Sequence, residues 1–348
     1  MPLPHTIRQY YTQGDGWLNL KLQEVPLQKP RASEVTLKVH AVSLQYRDLM
    51  VSNGRLPGSE NKKCIPGSDA AGEIVAVGDD VKGWKIGDRV CPNFTLDHIH
   101  GDITGKIKNT GLGGRTDGVL REYVNLPAHS LVRIPEYLSY EEGSSLPCAA
   151  LTAYNALLGP VPLKGGDYVV VLGTGGVSVF GAQIALASGA IVIATSSSDE
   201  KLEVVKKLGV QHVINYNKTP NWEDEVLRIT GGTGADHIIE ARSRVGGSNT
   251  ILKSTKAVKY SGFIHLIGIV SGGDSGLPIL AATNKAITLR GILIGSVKQF
   301  EDMNRLLSAR QIHPVIDKVF TFEQLIDAYS YLESQKHVGK IVIKVSKN

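Results

Sequence analysis

The sequence contains few cysteines, and their spacing does not suit cross-links. Only Cys64, Cys91 and Cys148 occur among the 348 residues, and no Cys-x-x-Cys pair is present. An odd number of widely separated cysteines argues against a disulfide framework and favours a reducing compartment. We therefore expect a cytoplasmic protein.

Long apolar runs and blocks of like charge are also missing. No stretch approaches the ~20 apolar residues of a membrane-spanning helix, and the first residues, from Met1 to His5, lack the apolar core of a signal peptide. The formal net charge is +5, but no block of five or more Lys or Arg concentrates it. We expect a soluble protein that binds neither nucleic acid nor a membrane.

Length and composition indicate an ordinary globular protein of about two domains. Hydrophobic residues make up 42% and charged residues 20% of the chain, which argues against global disorder. The 38 glycines follow no Gly-X-Y period. They therefore indicate tight turns and close backbone approaches rather than collagen.

Two kinds of pattern divide the chain. Up to about residue 130 it reads as short strands and turns: Glu34–Ser43 alternates apolar and polar residues, and Ala70–Gly78 is a second strand. From about Lys164, short apolar strands alternate with helical segments. That pattern is typical of a parallel sheet covered by helices on both faces.

A glycine-rich turn follows the first of these apolar strands. The strand Tyr168–Leu172 leads into Gly173-Thr174-Gly175-Gly176-Val177-Ser178, and a predicted helix leaves this turn. Gly173 permits the turn, Gly175 lets the backbone approach a pyrophosphate, and the helix N-terminus offers unpaired N–H groups. Ser178 replaces the third glycine of the usual pattern and is still small. We predict a dinucleotide-binding site.

The end of the next predicted strand bears on the choice between NAD and NADP. This strand ends Thr195-Ser196-Ser197-Ser198, without the Asp or Glu that accepts from the ribose 2′-OH of NAD. Three serine hydroxyls and Lys201 can instead donate to a 2′-phosphate, while Asp199 and Glu200 can point outward. The sequence therefore favours NADP(H). Ser197 is also expected to cap the following helix, in a capping box with Glu200.

Several segments together resemble the medium-chain dehydrogenase/reductase superfamily, in particular its quinone oxidoreductase-like and zinc-type alcohol dehydrogenase-like members. They are Val42–Met50, Ile65–Gly78, Val81–Val90, Gly118–Val124, Leu146–Leu157, Gly173–Ser178, Gly234–Glu240 and Val338–Ile343. The resemblance covers nearly the whole chain. It implies an α/β fold, with a Rossmann doubly wound parallel sheet and a GroES-like, partly open β-barrel catalytic domain.

The resemblance also implies a domain arrangement and a partner. Residues 1–133 and 300–348 would form the GroES-like catalytic domain, and residues 134–299 the Rossmann dinucleotide-binding domain. Members are commonly dimers or tetramers, and a frequent contact joins the last strands of the nucleotide sheets, here near Ile287–Ile294. We expect a homodimer that acts on a small carbonyl or quinone substrate.

Zinc-dependent members carry a cysteine, a Gly-His-Glu motif and a second cysteine, and this chain keeps only the last of these. The first cysteine aligns with Gln45, the His and Glu align with Ser68 and Asp69, and the second cysteine aligns with Cys148. One thiol and one carboxylate do not supply the three protein ligands of a catalytic zinc site. The loop Asp97–Gly118, where a structural zinc would bind, contains no cysteine. We predict no bound metal.

Without a Lewis acid, another group must hold the oxygen that becomes negative during hydride addition. The resemblance places Tyr46 at the nicotinamide face, and its phenol could donate to that oxygen and relay a proton. A Tyr46 packed under the loop, with its hydroxyl on the backbone, is an equal alternative. Asp69 is the second catalytic candidate, with a buried structural hydrogen bond as its alternative. Lys340, before the last strand, could reach the pyrophosphate, but we expect it to be solvated.

The resemblance supplies further cofactor contacts on helix and strand ends. These predicted residues are Thr152, Tyr216, Ile267, Gly268, Ile294, Gly295 and Ser296. Arg242 and Arg244 stand where relatives usually have small residues. They form either a solvated loop or a site for an anionic part of the cofactor or substrate.

These observations predict a zinc-independent, NADPH-dependent reductase that transfers hydride to a conjugated carbonyl compound, a quinone or an enone. Two alternatives stay open. One is a zinc-free alcohol dehydrogenase or aldehyde reductase, because the residues do not separate attack on C=C from attack on C=O. The other is a non-catalytic NADPH-binding protein.

Overall fold

The computed structural model describes residues 3–56, 63–241, 249–268 and 279–346. The chain divides into two compact units, one comprising Met1–Leu151 with Gly295–Asn348 and the other Thr152–Ile294. The predicted domain boundaries, at 133/134 and 299/300, differ from this division. Arg242 and Arg244 lie outside the described residues.

Strands and helices occur throughout both units. The strands are β1 (Thr6–Tyr11), β2 (Lys21–Pro26), β3 (Glu34–Leu44), β4 (Asp69–Val77), β5 (Arg89–Pro92), β6 (Tyr123–Pro127), β7 (Leu131–Arg133), β8 (Tyr168–Leu172), β9 (Ile191–Ser196), β10 (His212–Asn215), β11 (Ala235–Glu240), β12 (Val258–Leu266), β13 (Thr288–Gly291), β14 (Ile316–Thr321) and β15 (Lys340–Lys344). The helices are α1 (Tyr46–Ser52), α2 (Gly105–Lys108), α3 (Tyr140–Gly143), α4 (Leu151–Leu158), α5 (Gly176–Ala187), α6 (Asp199–Lys207), α7 (Trp222–Ile229), α8 (Asn249–Ala257), α9 (Ile279–Asn284), α10 (Val297–Arg310) and α11 (Leu325–Ser334).

The sheet of the first unit joins both ends of the chain. Its strands lie in the order β14-β15-β3-β4-β5-β7, and β6 also pairs with β3. The C-terminal β15 runs antiparallel to β3, with Ile341 opposite Leu44. The apolar face predicted for β3 is buried at Val35, Leu37 and Val39, but the alternation is incomplete, because Thr36 and residues 41–44 are buried as well. A discontinuous unit follows, because β15 supplies a neighbour for β3 that no nearby segment provides.

The sheet of the second unit is parallel throughout the described residues. Its strands lie in the order β10-β9-β8-β11-β12-β13, with β8 and β11 adjacent at the centre. This order reverses direction beside β8, as in the dinucleotide-binding Rossmann fold. The predicted parallel sheet is confirmed. The turn after β8 therefore lies at the carboxyl edge, where such sheets bind ligands.

The sequence pattern predicts helices over Val177–Ser188 and Trp222–Ile229; α5 begins one residue before the first, and α7 has the bounds of the second. The helix predicted near Phe322–Ser334 is α-helical only from Leu325, after a 3₁₀ turn over Phe322–Gln324. Residues 245–248 of the helix predicted near Val245–Lys256 lie outside the described residues. Among the helices of the described ranges, none combines the length and apolar character needed to cross a membrane.

Candidate functional site

The turn between β8 and α5 has the geometry of an anion-binding turn. Gly173 adopts φ +86°, in the left-handed region that favours glycine, and Gly175 is the N-cap of α5. Ser178 donates from Oγ to the Leu172 carbonyl (2.8 Å), which ties the helix to the strand end. The first turn of α5 carries no acidic residue. The N–H groups and partial positive charge of this end therefore face no carboxylate from their own helix.

Gly175 is not required by the fold itself. Its φ is −75°, which any residue adopts, and a Cβ built there meets no atom within 4 Å. The space beside the backbone is thus open in the protein. Gly173, Gly175, Gly176 and Val177 fit a pyrophosphate, since the backbone is bare where such a group would approach.

The end of β9 differs from the prediction in its helix cap. Ser197 does not form the predicted capping box with Glu200. The N-cap is Ser198, whose Oγ accepts from the Lys201 N–H (3.4 Å). The shift arises because β9 continues through Ser196, whose Oγ accepts from the Ser198 N–H (3.4 Å). Ser197 is left exposed at the tip.

The loop after β10 is bonded to the same tip. Tyr216 donates its backbone N–H to the Ser196 carbonyl (3.0 Å), and the Asn217 amide donates to the Ser197 carbonyl (3.0 Å). Asp199 accepts from the Asn215 amide (2.8 Å) and pairs with the Lys218 ammonium (2.6 Å). The structure therefore places Ser196, Ser197, Ser198, Lys201 and Tyr216 on two adjacent loops, and it adds residues of the β10 loop to them.

The other predicted cofactor residues lie at helix starts and strand ends. Thr152 is buried in the first turn of α4. Ile267 and Gly268 follow β12, and Ile267 donates its N–H to the Glu240 carbonyl (3.2 Å). Ile294, with φ +53°, accepts from the Asn155 amide through its carbonyl (2.6 Å).

Gly295 and Ser296 have structural contacts within the first unit. The Gly295 carbonyl accepts from the Asn93 amide (3.3 Å). Ser296 is the N-cap of α10 and forms a capping box with Gln299. These contacts fix the backbone at both residues.

A hydrogen-bonded cluster in the first unit centres on the Asp69 carboxylate. Asp69 is fully buried and accepts from the Gln45 amide (2.6 Å), the Ser68 hydroxyl (2.5 Å) and the Cys148 backbone N–H (3.1 Å). Burial raises the pKa of Asp69 to about 6, although the nearby Lys340 ammonium opposes that rise. Asp69 is therefore held in place by three donors.

Lys340 completes this cluster, and the expectation of a solvated side chain is wrong. It is 3% exposed, and its Nζ donates to the Leu44 carbonyl (2.6 Å). The pairing of β15 with β3 carries the side chain into the interior. Burial lowers the pKa of Lys340, while Asp69 acts to raise it.

The Cys148 thiol is protonated at neutral pH. Burial raises its pKa well above the usual range, and the Asp69 charge adds to the effect. This agrees with the interpretation of Cys148 as a packed residue rather than a nucleophile.

Tyr46 begins α1, directly after Gln45. Its half-buried ring packs against the core of the first unit. Within the described part of the chain its hydroxyl makes no hydrogen bond, so the alternative with the hydroxyl on the backbone does not hold there. The hydroxyl has its donor capacity available for a ligand.

Four residues that pattern reasoning did not assign to the site belong to it: Gln45, Lys340, Asn215 and Lys218. The signal for Gln45 was its alignment with the first cysteine of the zinc-dependent relatives. The burial of Lys340 depends on contact with Leu44, 296 positions away, and no local pattern reveals it. Asn215 and Lys218 follow a strand end, where polar residues are also typical of ordinary turns.

Known proteins match the chain along nearly its whole length. The family model described as alcohol dehydrogenase GroES-like domain matches residues 31–136, and the model described as zinc-binding dehydrogenase matches residues 176–309. A zinc-type alcohol dehydrogenase-like protein of Schizosaccharomyces pombe is 47% identical over 92% of this chain and 93% of its own. The predicted GroES-like and Rossmann fold class is confirmed.

Two solved structures are similar over whole chains. An NAD-dependent alcohol dehydrogenase has a TM-score of 0.87 and 29% identity, covering 98% of this chain and all of its own. The quinone oxidoreductase of Coxiella burnetii has a TM-score of 0.79 and 28% identity, with the same coverage.

The zinc that the second family model is named for does not fit the residues present. Among residues 3–56, 63–241, 249–268 and 279–346, no group of three or more His, Cys, Asp or Glu side chains could hold a metal ion. At the positions of the ligands stand an amide, a hydroxyl, a carboxylate engaged by three donors and a single thiol. A zinc site requires deprotonated ligands in tetrahedral array. The absence of metal stays a prediction.

Proposed function

Since the chain belongs to the medium-chain dehydrogenase/reductase superfamily and is an NAD(P)H-dependent oxidoreductase of that type, we propose that it is a zinc-independent, NADPH-dependent reductase of conjugated carbonyl compounds. Quinones and enones are the substrate class. The observation that carries the proposal is the Gln45–Asp69 hydrogen bond at the position of a zinc ligand pair. In this proposal the Gln45 amide, which donates to the Asp69 carboxylate, stands where relatives have a zinc ligand. No metal ion then polarises the substrate carbonyl.

A conjugated acceptor suits such a site. Bound NADPH supplies the hydride. The negative charge then spreads from the carbonyl oxygen along the conjugated system, so a single hydroxyl donor can stabilise it. In the proposed complex the Tyr46 hydroxyl donates to that oxygen, and Tyr46 or water delivers the proton. Asp69 acts as a positioning residue by fixing Gln45, which directly precedes Tyr46.

The preference for NADPH is supported by the end of β9. Ser196, Ser197 and Ser198 provide hydroxyls, and Lys201 provides a cation one turn into α6. A 2′-phosphate gains charge-assisted hydrogen bonds from such groups. The pyrophosphate would be held by the turn after β8, and the nicotinamide half by further residues of the same unit, Thr152, Ile267, Gly268 and Ile294.

Product analysis with cinnamaldehyde tests the reaction. NADPH should be consumed faster than NADH, and the saturated aldehyde should be the product. Cinnamyl alcohol as the product would instead support the aldehyde reductase, in line with the similarity to an NAD-dependent alcohol dehydrogenase. Binding of NADPH without oxidation by quinones, enones or aldehydes would support a non-catalytic protein. Zinc analysis of the active enzyme tests metal independence.

Tyr46→Phe tests the proposed donor. We expect kcat/KM for the enone to fall by roughly 10²-fold or more with little change in NADPH affinity. Tyr123→Phe removes a hydroxyl from another half-buried tyrosine of the same unit and should leave kcat/KM unchanged. Equal turnover of Tyr46→Phe and the wild type would remove Tyr46 from the mechanism.

We also propose a homodimer formed along the edge strand β13. In the described residues β13 ends the parallel sheet and pairs with β12 alone, so one side of its backbone is available to a second copy. Light scattering coupled to size-exclusion chromatography should give twice the 37.4 kDa chain mass. Thr288→Pro, which removes an N–H from that strand, should shift the mass toward the monomer.

A further inference from the structure

Asp199 is the first residue of α6 and lies two positions after Ser197. Both of its carboxylate oxygens are engaged by the β10 loop. Oδ1 accepts from the Asn215 amide at 2.8 Å, and Oδ2 pairs with the Lys218 ammonium at 2.6 Å. These donors hold the pKa of Asp199 below its usual range, with the Asn215 hydrogen bond as the largest cause. The carboxylate is thus ionised, and the Lys218 ammonium compensates its charge.

Further hydrogen bonds near the Asp199–Lys218 pair join the loop after β9 to the loop after β10. The Asn217 amide donates to the Ser197 carbonyl (3.0 Å), and its backbone N–H donates to the Asn215 side-chain oxygen (3.0 Å). The Tyr216 N–H donates to the Ser196 carbonyl (3.0 Å). The carboxylate therefore belongs to a bonded connection between the ends of β9 and β10.

A negative charge at this point matters for the cofactor. In NAD-dependent Rossmann proteins a carboxylate near the end of the second strand receives the ribose 2′-OH, and the same charge would repel a 2′-phosphate. Because solvent and salt screen charges at an exposed surface, an unpaired carboxylate near a dianion should change its affinity by a few-fold rather than by orders of magnitude. A carboxylate left without Lys218 would thus weaken the binding of a dianion at Ser197 by a measurable factor.

We propose that Asn215 and Lys218 determine cofactor preference by neutralising Asp199 and holding it on the β10 side, so that the 2′-phosphate of NADP(H) can bind at Ser197. We call these three residues the Asp199 clamp. The clamp rests on the proposed NADPH dependence. Lys218 acts through Asp199 and is a positioning residue, not a phosphate ligand.

A double-mutant cycle on the full-length protein tests this role. The dissociation constants of NADP+ and NAD+ are measured for the wild type, Lys218→Met, Asp199→Asn and the double variant. Lys218→Met should weaken NADP+ binding about three- to ten-fold and change NAD+ binding less than about two-fold. Asp199→Asn should bind NADP+ at least as tightly as the wild type. The double variant should recover wild-type NADP+ affinity within about two-fold.

Lys206→Met is the matched control. Lys206 lies on α6 with Asp199 and pairs with Glu203 at 2.6 Å, so its removal deletes the same charge and an ion pair of the same length. It makes no hydrogen bond to Asp199 and is the smallest of the causes that lower the pKa of that carboxyl. It should not change the NADP+ to NAD+ ratio by more than about two-fold. Glu200→Gln removes the neighbouring first-turn carboxylate, which is exposed, and should also leave the ratio close to the wild type.

Several results would contradict the proposed role of the Asp199 clamp in cofactor preference. If Lys218→Met weakens NADP+ binding equally in the wild type and in Asp199→Asn, Lys218 binds the phosphate directly and does not act through Asp199. If Lys206→Met has an equal effect, only the overall charge of the helix matters. If the wild type binds NAD+ more tightly than NADP+, the proposed NADPH dependence is wrong. The role of the Asp199 clamp is then still tested by the NADP+ dissociation constants of the four proteins. Binding of neither nucleotide overturns both.

Discussion

Gly173 and Gly175 stand two positions apart but are glycine for different reasons. Gly173 needs its left-handed φ of +86° for the chain to turn out of β8. Gly175 has an ordinary φ of −75° and open space where a Cβ would lie. The fold would accept a side chain at Gly175, and the bound pyrophosphate would not.

Gly175→Ala should therefore separate stability from binding. We expect the midpoint of thermal unfolding to stay within about 2 °C of the wild type, because the added methyl group meets no atom and strains no dihedral angle. NADP+ binding, measured by titration calorimetry, should weaken about tenfold or more. Gly165→Ala, at the opposite end of β8, meets only backbone at 3.9 Å and should change neither quantity. Unchanged NADP+ affinity in Gly175→Ala would contradict this assignment.

The Arg121 charge is poorly compensated among the described residues. Its Nε is buried without a hydrogen-bond partner there, and burial lowers its pKa to about 10, although the Asp117 charge opposes that fall. A buried cation whose desolvation is not offset by its neighbours costs stability. Arg121→Met, which keeps the length of the side chain, should raise the free energy of unfolding by about 1–3 kcal/mol in urea titrations. Arg121→Lys retains the charge and should give no such gain.

At the scale of elements, the site of the first unit depends on the antiparallel pairing of β15 with β3. This pairing brings Lys340 to Leu44 and places the ammonium near Asp69. Two buried carboxylates, Asp48 and Asp69, lie in the same interior and act to raise the pKa of Lys340. The C-terminal strand therefore supplies the cation that keeps the cluster close to neutral.

Lys340→Met should therefore lower the free energy of unfolding. Asp48 keeps its ion pair with Arg47, but Asp69 loses the cation that opposes its burial, so we expect a loss of about 3–5 kcal/mol of unfolding free energy. The pKa of Asp69 should rise above about 6, which nuclear magnetic resonance of the carboxyl carbon can follow. Lys344→Met, on the same strand, removes a half-exposed partner of Glu141 at 4.0 Å and should cost less than about 1 kcal/mol. Equal losses in both variants would contradict a charge role for Lys340.

At the scale of the whole molecule, buried histidines make the fold acid-sensitive. His265 is buried, its pKa is lowered to about 3 by burial, and its Nε2 lies 3.1 Å from Nδ1 of His237. Burial also lowers the pKa of His40 to about 4. Each group is neutral when folded and gains a proton when unfolded once the pH falls below about 6.5. Their shifts therefore remove stability from about pH 6.5 downward.

Asp69 acts in the opposite direction. Its raised pKa means that the folded state takes up a proton near pH 6 while the unfolded state does so near 3.8. Protonation of Asp69 thus adds stability between these values. With two histidines against one carboxyl group, the free energy of unfolding should fall by about 2–4 kcal/mol between pH 6.5 and 4.5. Denaturant titrations across this range measure the fall, and His265→Leu should remove most of it, because Asp69 then offsets most of the remaining contribution of His40. A pH-independent stability would show that these histidines titrate normally.

Features that depend on short-range pattern could be predicted from the amino-acid sequence alone. The strand–turn–helix at Gly173 and the alternation of strands with helices follow from local hydrophobicity and glycine chemistry. The loss of the zinc ligands could be read at Gln45 and Ser68, because aligned motifs identify positions without coordinates. One error at this scale, the cap at Ser197, concerned a single residue, where Ser196, Ser197 and Ser198 offer equivalent hydroxyls to the same helix end.

Only the tertiary structure decided how charges are paired. Lys340 meets Leu44 across 296 positions, and Asp199 meets Lys218 across the ends of two strands. Neither contact has a local signal, because a lysine has the same intrinsic character whether it is solvated or buried. Its environment is set by which strands become neighbours. The sequence thus determined where the cofactor turn and the lost metal ligands lie, and strand pairing decided which charges surround them.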